Sequence, residues 1–578
     1  MGAEPREKET HVGGKHEVQQ ARPTFWTRPH EGGVLLGLVF AMLAMTPSLI
    51  PRSWLFQGLV SGVTAALGYL VAVVVAWCLN RIPAWRRLVD RVTTRVGARR
   101  GGQIWGAVEA VLVVLTAVVL VVSHGWQADV TASMGMSAPG WPAWLLAGPL
   151  LVVVAALFIL IGRVLLRTAR RISSFLHRRL RVPRVVAPVV ATVVVTLAVV
   201  ILVNDVLLAR AASAVDQAFA LANTEDHAGV VRPEIPERSG SPESLVEWDT
   251  IGREGRRFVA TGPSPAQLEA ASDESADGSV LTPIRVYAGL DSAPDAAARA
   301  ALAVDELERT GAFEREVIVI ATTTGSGWVN GDAIEALELM HGGDTAAVAT
   351  QYSYLPSWLS FLVDRSRAAD EAQALADALE EAVAARPEGG RPEVLVYGES
   401  LGAYGSAQAY TSLADIRAST DGVLWVGPPN ASEVWKALVD RRDPGTPEMR
   451  PVYAAGLLVR FASDTGQIAT PPTAWEDPRV LYLQHASDPI VWWSPDLLLE
   501  RPDWAVEDDG TGRGPRMDWW PLVTFWQLTF DLANSKSVPD GNGHNYDALT
   551  LDGWVAVAAP DGWDEADTAR VREVMRGD

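Results

Sequence analysis

The sequence predicts two unlike parts: a domain of five membrane-spanning α-helices, then an α/β domain whose mostly parallel sheet carries helices on both faces. Three observations predict this. Nearly all the long apolar runs lie before residue 210, in five stretches close to the roughly 20 residues needed to cross a hydrocarbon core. From residue 282, short apolar runs alternate with helix-like stretches, the pattern of parallel strands joined by crossover helices. Acidic residues crowd this second part, so the formal net charge of −20 over 578 residues belongs mostly to it. An acidic domain repels phosphate backbones, which argues against a nucleic-acid partner.

Residues 1–32 are polar, with Gly13-Gly14 and scattered charges, and read as a disordered tail. The five expected spans are 33–50, 58–79, 104–123, 144–162 and 185–208. Runs such as Val111-Leu112-Val113-Val114-Leu115 are apolar all round, which suits lipid better than a soluble core. Between spans two and three lie Arg81, Arg86, Arg87, Arg91, Arg95, Arg99 and Arg100; between spans four and five lie Arg163, Arg167, Arg170, Arg171, Arg178, Arg179, Arg181 and Arg184. Residues 124–143 have no Lys or Arg, and residues 51–57 have only Arg52. Positive loops stay inside, so the N-terminus is expected in the cytoplasm and everything after residue 208 outside. Arg52 alone runs against this bias.

Only Glu109 and Asp205 are ionisable within the spans, each near an end, and matched Gly/Pro breaks are absent, so the helices read as an anchor in the bilayer and not as a carrier. Five helices exceed what an anchor needs. The single cysteine, Cys78, excludes an intrachain disulfide, and its place inside an apolar run argues against cysteine catalysis. Residues 209–281 read as a linker that begins with an alanine-rich amphipathic stretch, 209–223. Within it, Trp248, Ile251, Phe258 and Val259 are expected to pack on the outer domain, with Arg253, Arg256 and Arg257 paired to local acids.

In the outer domain, 282–578, strands are expected at 284–288, 317–321, 346–351, 394–397, 423–426 and 480–483, with a further possible strand at 457–462. Helices are expected at 296–309, 332–340 and 359–385. The run Val394-Leu395-Val396-Tyr397 leads into Gly398-Glu399-Ser400-Leu401-Gly402 and then into small residues. This is the strand–turn–helix setting of a nucleophile elbow, where flanking glycines let the serine sit on a strained turn.

An activated serine needs a base, and the base needs an acid to orient it. In the order Ser, Asp or Glu, His, two histidines remain downstream, His485 and His544. Asp488 lies in the loop after strand 480–483, where the acid belongs, and His544 lies in the polar loop Gly541-Asn542-Gly543-His544. His485 is too close to Asp488 and reads as a hydrogen-bonded neighbour; Asp464, after strand 457–462, is the second candidate acid. Leu401 N–H and the backbone of loop 322–328, at Gly325 and Ser326, are the expected oxyanion donors. No metal-ligand spacing occurs, and no cofactor is expected. Trp504, Trp519, Trp520, Phe525, Trp526 and Phe530 suggest a helix packed on the sheet, or else a lid or acyl-binding wall.

With these motifs in this order, the outer domain resembles the α/β-hydrolase superfamily. The whole chain resembles the membrane-bound actinobacterial α/β-hydrolase family, in which a membrane-embedded N-terminal domain precedes the hydrolase domain. The resemblance implies a serine hydrolase with Ser400, Asp488 and His544 as its triad, and supplies no substrate. The expected function is hydrolysis of a lipid or other apolar acyl ester at the outer membrane face. Two alternatives are an envelope acyltransferase using the same triad and a transport or scaffold protein with an inactive hydrolase-like domain.

Overall fold

Strands rich in Val, Ile, Leu and Ala, buried on both faces, build the centre of the molecule. The computed structural model describes residues 30–202, 219–272, 280–363, 365–507 and 517–577. The strands are β1 (Ile284–Ala288), β2 (Val317–Thr322), β3 (Thr345–Thr350), β4 (Glu393–Glu399), β5 (Gly422–Val426), β6 (Val459–Ala462) and β7 (Arg479–Leu483). They form one seven-stranded sheet in the order β1-β3-β2-β4-β5-β7-β6, and every neighbouring pair is parallel. Alternate residues feed opposite layers: Val317, Val319 and Ala321 join one core, Ile318 and Ile320 the other. The helix expected at 359–385 is described as Ser357–Val363 and Arg365–Ala384, with residue 364 outside the described residues. β6 comes before β7 in the chain but lies outside it at the edge, so β7 and the loop after it sit next to β5.

The N-terminal part corrects the expectation of five spans. Among the described residues three helices are long and apolar enough to cross a membrane, within Trp54–Leu79, Arg100–Ser133 and Trp141–Arg179, which is consistent with a membrane protein. Two others, Glu31–Leu43 and Val186–Ile201, are apolar but shorter. The first falls short because Pro47 and Pro51 stop it, the residue before a proline being driven out of the helical region. Leu49 and Ile50, apolar residues that lengthen the span on paper, instead pack against the α/β domain. The fourth span runs on as helix through Arg163 to Arg179, since no breaker occurs before Pro183. Helices Glu31–Leu43 and Trp54–Leu79 cross closely: a Cβ on Gly37 would stand 2.7 Å from Ala65 O. The polar tail up to residue 29, the outer end of the fifth span with Asp205, and the alanine-rich stretch to residue 218 lie outside the described residues.

Much of the expected linker joins the core. Helix Arg253–Ala260 lies against β1, and Val246, Ile251, Phe258 and Val259 share a buried cluster with β2 and β3. Arg285 N–H donates to Glu237 O and Ser239 N–H to Arg285 O, so this segment runs beside β1. Arg256 is buried and donates to Asp226 and to the carbonyls of Asn223 and Glu225.

The aromatic segment behaves in a third way. Helix Val523–Leu532 docks on the N-terminal helices: Val523, Trp520, Trp526 and Phe530 pack with Ala44 and Val60. Trp504 is core, while the Trp493 and Phe525 rings meet nearby at a tilt, with centroids 5.5 Å apart.

Candidate active site

β4 ends at Glu399, and Ser400 follows with φ 56° and ψ −121° before helix Leu401–Gln408 begins. A non-glycine residue held there stores about 1–3 kcal/mol of strain and persists only where its surroundings enforce it. Here they do. A Cβ on Gly398 would stand 2.7 Å from Gly402 and from Ala403 N, and one on Gly402 would stand 2.2 Å from Thr322 O. Both glycines are therefore required for the elbow to fit between β4, its helix and the end of β2.

The adjacent strand brings the histidine in. Ser400 N–H donates to Val426 O at the end of β5. The next residue, Gly427, has φ 54°, and a Cβ there would lie 2.5 Å from Cε1 of His544. The imidazole thus rests on bare backbone, one residue from the carbonyl that holds Ser400. His544 Nδ1 donates to Asp488 Oδ2 at 2.6 Å, and both side chains are buried. Nε2 of His544 is buried with no hydrogen-bond partner among the described residues. It is the nitrogen that a serine base uses, and in unliganded sites this contact is often made only when substrate arrives.

Asp488 is fully buried and accepts three hydrogen bonds: from His544, from Tyr546 O–H at 2.8 Å and from Ile490 N–H at 2.8 Å. Burial, then the Asp488 charge, raises the Tyr546 phenol well above its ordinary range, so it stays a neutral donor. Asp464 is elsewhere: it caps helix Thr465–Ile468 by accepting from Gln467 N–H and Nε2, at the sheet edge. His485 stacks on Tyr546, ring centroids 4.0 Å apart, and its Nδ1 lies 3.0 Å from Gly543 O. Burial lowers its pKa, which favours the neutral ring.

At the end of β2, Thr322 O touches the elbow through Gly402. In the loop that follows, Thr324 N–H bonds Trp328 O and Gly327 N–H bonds Thr324 O. Gly325 and Ser326 donate no backbone hydrogen bond to any described residue, and Leu401 N–H lies in the first turn of the elbow helix. On the other flank of the serine, buried Glu399 accepts from Asn330 Nδ2 at 2.9 Å and pairs with Lys536 at 3.1 Å; Lys536 also lies over the Trp328 ring. Among the described residues no group of three or more His, Cys, Asp or Glu side chains could hold a metal ion.

The family comparison agrees with this fold. A model described as "Alpha/beta-hydrolase family" matches residues 284–571, and one described as "Alpha/beta-hydrolase family N-terminus" matches residues 45–263. The chain belongs to the alpha/beta-hydrolase family. Membership of this hydrolase family implies hydrolase-like activity, and the paired matches place the N-terminal helices within the family's architecture. No curated protein and no solved structure matches the chain.

Sequence reasoning did not identify Tyr546, Gly427 or the Asn330–Glu399–Lys536 group. Tyr546 had one available signal, its place two residues after His544. Gly427 had none, because the ring it accommodates lies more than a hundred residues away in the chain.

Proposed function

We propose that the protein is a membrane-anchored serine hydrolase acting on carboxylic esters with an apolar acyl group, its catalytic domain on the outer side of the membrane. The reading rests on one observation: Asp488 holds His544 by Nδ1 against the backbone that carries the strained Ser400, leaving Nε2 without a partner. Ser400 Oγ attacks the acyl carbon while His544 Nε2 takes its proton. The negative carbonyl oxygen is met by the N–H of Leu401 and by those of Gly325 and Ser326. Collapse returns the proton to the leaving alcohol, and water then releases the acid by the same path. The carboxylate of Asp488 stabilises the imidazolium formed in both steps.

An apolar substrate is supported by the rings that lead from the elbow to the N-terminal helices. Phe361 packs against the buried cluster of Tyr352, Ala368 and Leu401 and meets Trp493, which meets Phe525, which meets Trp526. The outward orientation is supported by helix Trp54–Leu79: the arginines at 81–100 follow its C-terminal end, whereas the loop that docks on the α/β domain through Arg52 and Asp531 precedes its N-terminal end.

The test is labelling of membranes with a fluorophosphonate, comparing wild type with Ser400→Ala and His544→Ala. Labelling that vanishes in the first and falls sharply in the second is expected. A folded wild type that does not label would overturn the reading and favour an inactive hydrolase-like domain. Product analysis with and without an alcohol acceptor separates hydrolysis from acyl transfer.

A further inference from the structure

Arg52 is the one arginine that contradicts the charge bias of the N-terminal loops, and the structure shows where it goes. Its guanidinium pairs with Asp531 at 2.8 Å, and the two side chains are 1% and 0% exposed. Arg52 is itself clamped by the N-terminal helices: Nη1 donates to Ala44 O, and its backbone N–H donates to Gln127 Oε1. Around the pair, Gln527 Nε2 donates to Thr46 O and Asn534 Nδ2 to Pro51 O. Residues 48–52 are all buried although they form a loop between two apolar helices.

The far side of this contact is the chain that carries the catalytic histidine. Asp531 lies near the end of helix Val523–Leu532, and Asn534 N–H bonds Asp531 O. Ser535 O then accepts the backbone N–H of His544 at 3.0 Å. Lys536 reaches the Glu399 carboxylate beside the nucleophile. Val538 packs on Ile50 of the loop, and a Cβ on Gly543 would stand 2.5 Å from Val538 Cγ2. Residues 531–544 therefore have three fixed points: the N-terminal loop, the residue before the serine, and the histidine.

We propose that Arg52 and Asp531 are positioning residues for His544, and that the loop 46–53 between the first two apolar helices is a structural part of the catalytic site. The inference rests on the hydrolase reading above and deepens it. A polar loop ending in His544 has little core of its own; anchoring one end by a buried ion pair holds the imidazole where Nε2 serves Ser400. Small misplacements of a base cost rate steeply. The inference also gives the N-terminal helices a task, since Arg52 is held by Ala44 at the end of helix Glu31–Leu43 and by Gln127 of helix Arg100–Ser133.

The test uses the full chain in membranes or detergent, with Arg52→Gln and Asn534→Ala; the second keeps the question open if the first does not fold. Arg299→Gln is the control, because Arg299 and Glu371 form a comparably buried pair, 7% and 4% exposed, away from this junction. Two readouts are taken: kcat and KM for a soluble short-chain ester, and hydrogen exchange of the peptide containing His544. In Arg52→Gln, kcat is expected to fall about tenfold or more with KM little changed. Asn534→Ala should show a smaller fall, and exchange at His544 should quicken in both. Arg299→Gln should lower the melting temperature without either effect.

Unchanged kcat and exchange in the two junction variants would overturn the proposal, as would equal effects in Arg299→Gln. If the wild type neither turns over ester nor labels, the hydrolase reading fails. The exchange comparison then still decides whether the loop holds the histidine segment.

Discussion

Asp488→Asn tests the acid assignment most directly, because the structure says what the amide must do. Three donors converge on the carboxylate: His544 and Tyr546 on Oδ2, Ile490 N–H on Oδ1. An asparagine oxygen at the Oδ2 position keeps the first two and turns its NH2 against Ile490 N–H. The opposite orientation keeps Ile490 but faces NH2 to His544 Nδ1, forcing the tautomer whose Nε2 carries a proton and cannot accept one from Ser400. In either case the negative charge beside the imidazolium is gone. A charge-assisted hydrogen bond contributes about 1.5–3 kcal/mol, which corresponds to a rate loss of roughly 10- to 100-fold before any tautomer penalty. The assay is the rate of fluorophosphonate labelling at Ser400 in folded protein. Asp464→Asn is the companion, and since Asn caps a helix as well as Asp does, it should label at the wild-type rate. A folded Asp488→Asn variant that labels as fast as wild type, or an Asp464→Asn variant that slows equally, would refute the assignment.

Three other outcomes are expected. Tyr546→Phe removes one donor to Asp488 and the acceptor of His485 N–H, so stability should fall by about 1–3 kcal/mol in denaturant titrations, with a smaller loss of labelling rate than Asp488→Asn. Gly427→Ala places a methyl where the His544 ring lies, at a backbone conformation alanine resists; labelling should be nearly abolished while the far-ultraviolet circular dichroism is kept. Burial pushes the Glu448 carboxyl up to about 7, so the folded state holds its proton more tightly than the unfolded chain. Stability should therefore fall as pH rises from about 4.5 to about 7 and level off above. Glu448→Gln, which still accepts the Trp504 N–H, should remove that slope and raise stability at pH 8 by on the order of 2 kcal/mol, read from melting curves.

Signals confined to a few neighbouring residues were legible in the chain. The runs 284–288, 423–426 and 480–483 read as strands because buried parallel strands need continuous apolar sequence. The elbow read from Gly398, Ser400 and Gly402 because a strained turn restricts residue type at fixed offsets. The apolar stretch 33–50 misled for the same reason. Hydropathy adds Leu49 and Ile50 to the helix, yet Pro47 and Pro51 turn them toward the α/β domain.

Asp488 and Asp464 show where reading along the chain stops. Both follow strands and both precede the last histidine, so order alone leaves them equivalent. The sheet separates them: β7 lies inside, next to β5, and delivers Asp488 beside the elbow, while β6 lies at the edge and leaves Asp464 to cap a helix. Arg52 is the same lesson at longer range. Its charge was visible as an exception, but its partner Asp531 is 479 residues away. Strand identity, helix apolarity and the nucleophile turn follow from short-range sterics and hydrophobicity, which each segment carries in its own residues. Which acid meets His544, and which loop braces the chain that holds it, depends on strand order and domain docking, set by packing among residues with no local mark of one another.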